Sequence, residues 1–420
     1  MQSILADKRV LVYDRGGLFP HVAERLADYC QDYPVGYFSQ WREDFSRSQK
    51  RLPGQGLAGI ERVDSFFDAI DSADLIVFPD IGDGDLQDYL RSHGHLVFGS
   101  GPADQIELDK VGFYTWLAAS ELPCPETWHI QGLEALKSFL EDPANDDIWL
   151  KSNDRGDFET YHHINWKLSQ QWYNELYYHI GPNGENIQII ASEKIDATDE
   201  IGYDGYMIDG QFPVNGIYGF EAKDSFYIGK FTNTFPASIN LVNRVMGERV
   251  ATMGYRGLWS TEIRETKDGV PYFIDPTCRA GSPPSECMMK WYKNWDEIMY
   301  YGAAGRLVEP DASFIWGAEI ILRSSVQDHF LPLDFPEYLR PLLALHYHCI
   351  IDGCDYITPR SIPEIGAALG YGRTPQEAGE QALEIAKQLK GDGIEFNEHS
   401  YSELIETVLE YEENFSQVVE

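Results

Sequence analysis

A set of polar residues, widely spaced but in a fixed order, carries the chemistry this sequence could do. Lys110 follows Asp109 at the start of a helical stretch, and Lys151 closes the apolar stretch Ile148-Trp149-Leu150 and faces a polar loop. Glu193-Lys194-Ile195 is followed, five residues after Lys194, by Asp199-Glu200. Glu262 stands on one predicted strand and Asp275 and Thr277 on the next, with Asp268-Gly269 between them and Arg279 and Gly281 beyond. Carboxylates facing one another across a hairpin can supply the oxygen ligands that Mg²⁺ prefers. A planar guanidinium can hold a carboxylate or phosphate with two parallel bonds. Taken singly, each residue has an ordinary structural reading. Lys110 is then a helix-surface lysine, Lys151 a strand-end lysine, and Glu262 and Asp275 a solvated hairpin face. The order and spacing together favour chemistry.

In that order and spacing the sequence resembles the ATP-grasp superfamily, whose members include D-alanine–D-alanine ligase, phosphoribosylamine–glycine ligase and biotin carboxylase. The stretch from Gly269 to Gly281 is similar to the family's metal-binding hairpin, whose second strand reads apolar-Glu-x-Asn-x-Arg-x-Gly. The resemblance implies that Glu262, Asp275 and Thr277 bind metal, Asp275 standing at the family's Glu and Thr277 at its Asn. Asp109-Lys110 looks like the Asp-Lys that opens the ATP-grasp domain, and Ile148 to Lys151 like the strand with the second phosphate-binding lysine. Glu193 to Glu200 is similar to the nucleotide hinge: Glu193 for the adenine amino group, the backbone of Lys194 and Ile195 for the ring, Glu200 for the ribose hydroxyls. The likeness runs from about Arg9 to Gly281, and Gly370 to Ala378 also resembles the tail of phosphoribosylamine–glycine ligases and biotin carboxylases.

What the resemblance implies is an ATP-dependent carboxylate–amine ligase that forms a C–N bond through an acyl phosphate and releases ADP and phosphate. ATP and Mg²⁺ (or Mn²⁺) are the implied cofactors, and Lys151 and Arg279 the implied catalytic residues. Such a reaction needs positioning and charge neutralisation more than a protein nucleophile. Ser260 stands where D-alanine ligases carry an arginine, while Arg15-Gly16-Gly17 and Gly101-Pro102 lean toward phosphoribosylamine–glycine ligase. Asp275 is a methylene shorter than the family's Glu, and Thr277 is a weaker Mg²⁺ ligand than Asn. These departures motivate a rival, a non-catalytic ATP-binding sensor or scaffold with a degenerate site. A bicarbonate-activating, carboxylase-like member is a third reading.

The elements that must position these residues follow from pattern. Arg9 to Tyr13, Asp74 to Phe78 and His95 to Gly99 read as strands, with a helix from His21 to Tyr29. Strands alternating with helices predict a parallel, doubly wound sheet whose ligands lie beyond the strands' carboxyl ends, where Gly16-Gly17 and Gly82 to Gly84 fall. Leu108 to Ser120 reads as one helix. Ile187 to Ile195 and Asp204 to Ile208 read as strands, and Trp259 to Glu265 with Val270 to Pro276 as a hairpin. Thr374-Pro375 with Glu377 opens an amphipathic helix to Leu389. The expected fold class is α/β and α+β. The ATP-grasp resemblance divides it into an N-terminal parallel α/β domain (1–105), two α+β lobes clamping ATP (106–192 and 193–312, the second with the metal hairpin), and a small C-terminal α+β unit (313–420).

Composition narrows the partners. Of 420 residues, 68 are acidic and 33 basic, a formal net charge of −35. Such a surface repels nucleic acid and anionic membranes, so small-molecule carboxylate and amine substrates are expected, with a homodimer left open. Six scattered cysteines form no disulfide framework, and the start lacks the apolar stretch of a signal peptide, so a cytoplasmic setting is expected. No Walker A loop and no dinucleotide fingerprint is present. His346, His348, Cys349 and Cys354 fit no standard zinc spacing and read as core, and His162-His163 as a solvated loop pair.

Overall fold

The unbroken apolar run Val10-Leu11-Val12-Tyr13 can only be satisfied by burial on both faces, as in a parallel sheet. In the structure, a computed structural model, it is β1 (Val10–Tyr13). It lies among β2 (Val35–Phe38), β3 (Ile60–Arg62), β4 (Leu75–Val77) and β5 (Val97–Phe98), in the order β3-β2-β1-β4-β5, all parallel. The order reverses between β1 and β4, and a crevice opens at such a switch point. There Arg15 Nη1 donates to Gly82 O at 2.8 Å. The structure describes residues 2–40, 51–153, 158, 160–326, 328–359 and 362–419; the side chains at 198–199 and 417–419 lie outside this description. The predicted polar loop after Lys151 falls mostly outside it, at 154–157.

The chain divides into two compact units. One consists of residues 105–200 and 262–276. Its antiparallel sheet combines β6 (Thr127–Gln131), β7 (Ile148–Ser152), β8 (Thr160–His163) and β9 (Gln188–Glu193) in the order β6-β9-β7-β8. Ile148 and Leu150 point into a core with Leu136, Leu140, Leu176 and Ile189, so the period-2 alternation turns Lys151 to the opposite face. Truncating Leu150 to alanine should cost about 2–5 kcal/mol.

The other unit consists of residues 1–104, 201–261 and 277–420. Besides the parallel sheet it holds most of β10 (Ala197–Ile208), β11 (Gly216–Ala222), β12 (Phe226–Thr232) and the first half of β13 (Arg256–Thr266). The second half of β13 and nearly all of β14 (Pro271–Thr277) belong to the smaller unit. The large unit also contains β15 (Trp316–Ser324), β16 (Leu331–Leu333), β17 (Leu343–Leu345), β18 (His348–Ile351), β19 (Cys354–Ile357), β20 (Glu364–Gly372) and β21 (Ile394–Glu395). Its antiparallel sheet runs β13-β10-β11-β12-β15-β20-β17, with β21 on β15, and β16-β19-β18 form a separate small sheet. The predicted tail helix is Pro375–Ala386, capped by Thr374, whose side chain accepts from the Glu377 N–H.

Several predicted bounds are corrected. The helix expected over Leu108 to Ser120 is Lys110–Ala119, capped by Asp109, which accepts from the Gly112 N–H, and Leu108 instead ends the short helix Gln105–Leu108. Strand β9 stops at Glu193, leaving Lys194 and Ile195 in a short connector, and β10 starts at Ala197 rather than Asp204. His162 and His163 are no loop pair. They end β8, His163 is buried, and His162 stacks on Trp149 at 4.5 Å. His346, His348 and Cys349 are buried, as a core reading requires, whereas Cys354 is exposed. No described helix is long and apolar enough to cross a membrane.

Candidate nucleotide and metal site

Lys110 begins its helix because Asp109 fixes the turn before it, and its backbone N–H donates to Asn153 Oδ1 at 2.9 Å. Its side chain is almost fully buried, at 5% exposure for the residue. A buried ammonium needs a partner, and Lys110 Nζ donates to Asp275 Oδ2 at 3.2 Å. Lys151, on the face of β7 away from the apolar core, brings its own Nζ to 3.9 Å from the same oxygen. Lys151 Nζ also donates to Ile274 O at 3.0 Å, as does the Tyr114 hydroxyl, and Nζ lies 5.2 Å from the Tyr114 ring centre. Burial works against the Lys151 charge, but Tyr114, Asp275 and Glu262 outweigh it and hold its pKa above the ordinary lysine value.

The hairpin presents its polar residues by alternation. Gly269, with φ near +76°, makes the tight turn that a β-carbon would strain, and Thr266 and Val270 close it by a backbone hydrogen bond. On β13 Glu262 and Arg264 are two residues apart and half-buried, flanked by buried Thr261 and Ile263. On β14 Asp275 and Thr277 are likewise two apart and half-buried. Glu262 thus shares the electrostatic surroundings of Lys151 with Asp275.

Farther along the same unit, Glu193 ends β9, and its Oε1 accepts from the Glu126 N–H at 3.0 Å. Lys194 is exposed and pairs with Asp147 at 3.1 Å, and Asp147 itself has φ near +60°. Glu200 Oε2 accepts from both Arg264 Nε at 2.9 Å and Nη2 at 2.8 Å. The side chain of Asp199 lies outside the described residues. The small unit therefore contains Lys110, Lys151, Glu193, Lys194, Ile195, Glu200, Glu262 and Asp275, with Lys110, Lys151 and Asp275 in contact. Thr277 and Arg279 follow in the large unit, where Arg279 Nη1 donates to Ala280 O at 3.1 Å.

Tyr114, Asn153 and Arg264 escape a reading from sequence. Each acts by supporting a neighbour, and nothing in a lone Tyr, Asn or Arg signals that. One faint cue exists for Arg264, which stands two residues from Glu262 and so on the same face of its strand.

The donor set suits the groups such a site would hold. Glu262, Asp275 and Thr277 offer only oxygen atoms, as a hard cation such as Mg²⁺ requires. Two ammonium groups on one carboxylate are cationic partners that a polyphosphate can take over.

No protein-family sequence model matches the chain, and no curated protein sequence does either. Solved structures do. Phosphoribosylamine–glycine ligase from Thermotoga maritima matches with a TM-score of 0.64 and 15% identity, over 92% of this chain and 98% of that one. The biotin carboxylase domain of 2-oxoglutarate carboxylase from Hydrogenobacter thermophilus, a dimer in complex with MgADP, ADP and bicarbonate, matches at 0.66 and 13%, over 92% and 91%. L-amino acid ligase from Bacillus licheniformis matches at 0.61 and 15%, over 93% and 99%. The parallel N-terminal sheet, the antiparallel sheets that follow it and these whole-length likenesses agree: the chain has the ATP-grasp fold.

Proposed function

We propose that this protein is an ATP-dependent carboxylate–amine ligase working through an acyl phosphate. The observation that carries the reading is the convergence of Lys110 and Lys151, from a helix and a strand far apart in sequence, on the carboxylate of Asp275. Lys110 and Lys151 take the phosphates of ATP, trading Asp275 for phosphate oxygens. Glu193, with the Lys194 and Ile195 backbone, takes the adenine, and Glu200, steadied by Arg264, the ribose. Glu262, Asp275 and Thr277 hold Mg²⁺ (or Mn²⁺), which when bound supplies Lewis-acid neutralisation of the phosphate charge. Arg279 anchors the acid by its planar fork, Lys151 steadies the charge of the transferring phosphoryl group, and the amine then displaces phosphate. The chain's small-molecule partners are an acid and an amine.

The experiment is ADP and phosphate release from ATP with pooled carboxylic acids and amines, bicarbonate being one of the acids. Release that needs both an acid and an amine supports the ligase. Release with bicarbonate alone favours a carboxylase-like reaction. Tight ATP binding with no turnover in any pool leaves a nucleotide-binding sensor and removes the ligase.

A further inference from the structure

Outside the nucleotide residues, the large unit buries a cluster of metal-ligating side chains that the ligase reading does not use. His21 comes from the helix Pro20–Ala27, Glu286 from the helix Ser285–Trp291, and His346 from the segment after β17. The three are 0%, 1% and 1% exposed. One ligand atom from each lies within 4.8 Å of the other two. His346 Nε2 is 2.6 Å from Glu286 Oε1. Ser282 Oγ bridges Glu286 Oε1 at 2.7 Å and Glu364 Oε1 at 2.8 Å, and its single proton can go to one of them, so a second carboxyl group joins the cluster. His21 Nε2 lies 3.2 Å from Ser285 Oγ.

Two features set this cluster apart from an ordinary core ion pair. First, the Nδ1 atoms of His21 and His346 are both buried without a hydrogen-bond partner among the described residues, and Glu364 Oε1 stands 3.5 Å from the latter without making one. Buried nitrogen atoms are seldom left so, because each costs the free energy of its lost water. Secondly, the cluster can match a dication: with both imidazoles neutral, as metal ligation requires, ionised Glu286 and Glu364 would bring a charge of −2. Ligands at about 2.1 Å from a common ion lie about 3.4–4.2 Å from one another, so sub-ångström side-chain shifts would seat one here.

We propose that His21, Glu286 and His346, with Glu364 at the edge, form a binding site for one divalent transition-metal ion of the zinc type. Imidazole nitrogen selects Zn²⁺, Co²⁺ or Fe²⁺ over Mg²⁺, which keeps to oxygen. The ion would tie the first helix of the parallel sheet to two segments of the antiparallel part, residues more than 250 positions apart in the chain. Its role is structural, since the ligands are sealed from solvent. The proposal is independent of the ligase reading, and its test does not measure turnover.

The test uses the untagged full chain, stripped with a chelator and titrated with Co²⁺ as a spectroscopic stand-in for Zn²⁺, in excess Mg²⁺. Binding of about one equivalent with a visible d–d band that Zn²⁺ bleaches is expected. Zn²⁺ should also raise the melting temperature, because an ion bound only by the folded chain stabilises it. Glu286→Gln and His346→Gln should lose the band, and His162→Gln, half-buried on β8 in the other unit, should keep it. No Co²⁺ or Zn²⁺ uptake by the wild-type chain, or a band retained in both cluster variants, would mean a buried imidazole–carboxylate pair only. If the cluster variants do not fold, the wild-type titration alone decides.

Discussion

Lys110 Nζ and Asp275 Oδ2 are 3.2 Å apart, inside one compact unit although 165 residues separate them in sequence. With Lys151 near the same oxygen, one carboxylate holds two cations in place. Such a carboxylate keeps the lysines ordered before any ligand arrives, so less side-chain entropy is lost on binding.

Lys151→Met is therefore expected to weaken ATP binding on the order of 10- to 100-fold, the loss of one charge-assisted bond. Methionine keeps the packing against Tyr114, so the melting temperature should change little. Calorimetric titration of ATP into the variant reads this directly. An unchanged affinity would remove Lys151 from the phosphate site.

Glu200 and Arg264 offer a second handle. Their two contacts at 2.9 and 2.8 Å are about one-third exposed, so the pair contributes under about 1 kcal/mol to stability. Its value would lie in aiming the Glu200 carboxylate at the ribose. Wild-type protein should discriminate ATP from 2′-deoxy-ATP, and Glu200→Gln should discriminate far less while melting at nearly the same temperature. Equal discrimination in both proteins would place the ribose elsewhere.

Asp204 gives a pH dependence with a definite sign. Burial raises its pKa to about 6, only partly offset by hydrogen bonds from Tyr227, at 2.6 Å, and Ser260. Between the ordinary carboxylate value of 3.8 and about 6 the folded chain keeps a proton that the unfolded chain has released. Its contribution to stability therefore grows as pH falls through that window, and above it the buried charge costs stability. Asp204→Asn should flatten the stability–pH curve by about 2 kcal/mol between pH 7 and 4.5. Urea unfolding at the two pH values measures this, and an unchanged slope would mean that Asp204 titrates normally.

Legibility in the sequence followed locality. The strand Val10–Tyr13, the hairpin around Asp268-Gly269 and the capped helix after Thr374 were readable because their signals lie within a few residues. The Asp352-Gly353 turn between β18 and β19 carried the same signal, both residues having positive φ, but the apolar run before it reads as plain core. Strand β8 was missed because Thr-Tyr-His-His lacks apolar alternation; its place comes from pairing with β7, which tertiary contact supplies. Lys110, Lys151 and Asp275 were found by order alone, but their shared oxygen is a fact of folding. The cluster of His21, Glu286 and His346 has no spacing to recognise, since three distant segments assemble it.

The hairpin carboxylate gives the most decisive test of the catalytic reading. Asp275→Asn keeps the size of the side chain and leaves an amide oxygen to accept from Lys110, so the fold should survive, as a thermal melt can check. What is lost is one negative charge among the groups proposed to hold Mg²⁺. The Mg²⁺ concentration needed for half-maximal turnover should rise, and ADP release at saturating Mg²⁺ should fall on the order of 10²-fold or more, because the phosphoryl group's charge is less well neutralised. Arg279→Lys should act differently. Lysine keeps the charge but not the planar fork, so KM for the acid should rise with the Mg²⁺ dependence unchanged. If Asp275 were only a surface residue of the hairpin, its substitution would shift stability by about 0.5 kcal/mol or less and leave turnover alone. Full ADP release by Asp275→Asn, with the acid and amine that support the wild-type enzyme, would exclude Asp275 from the metal site and remove the basis for assigning Glu262 and Thr277 to it.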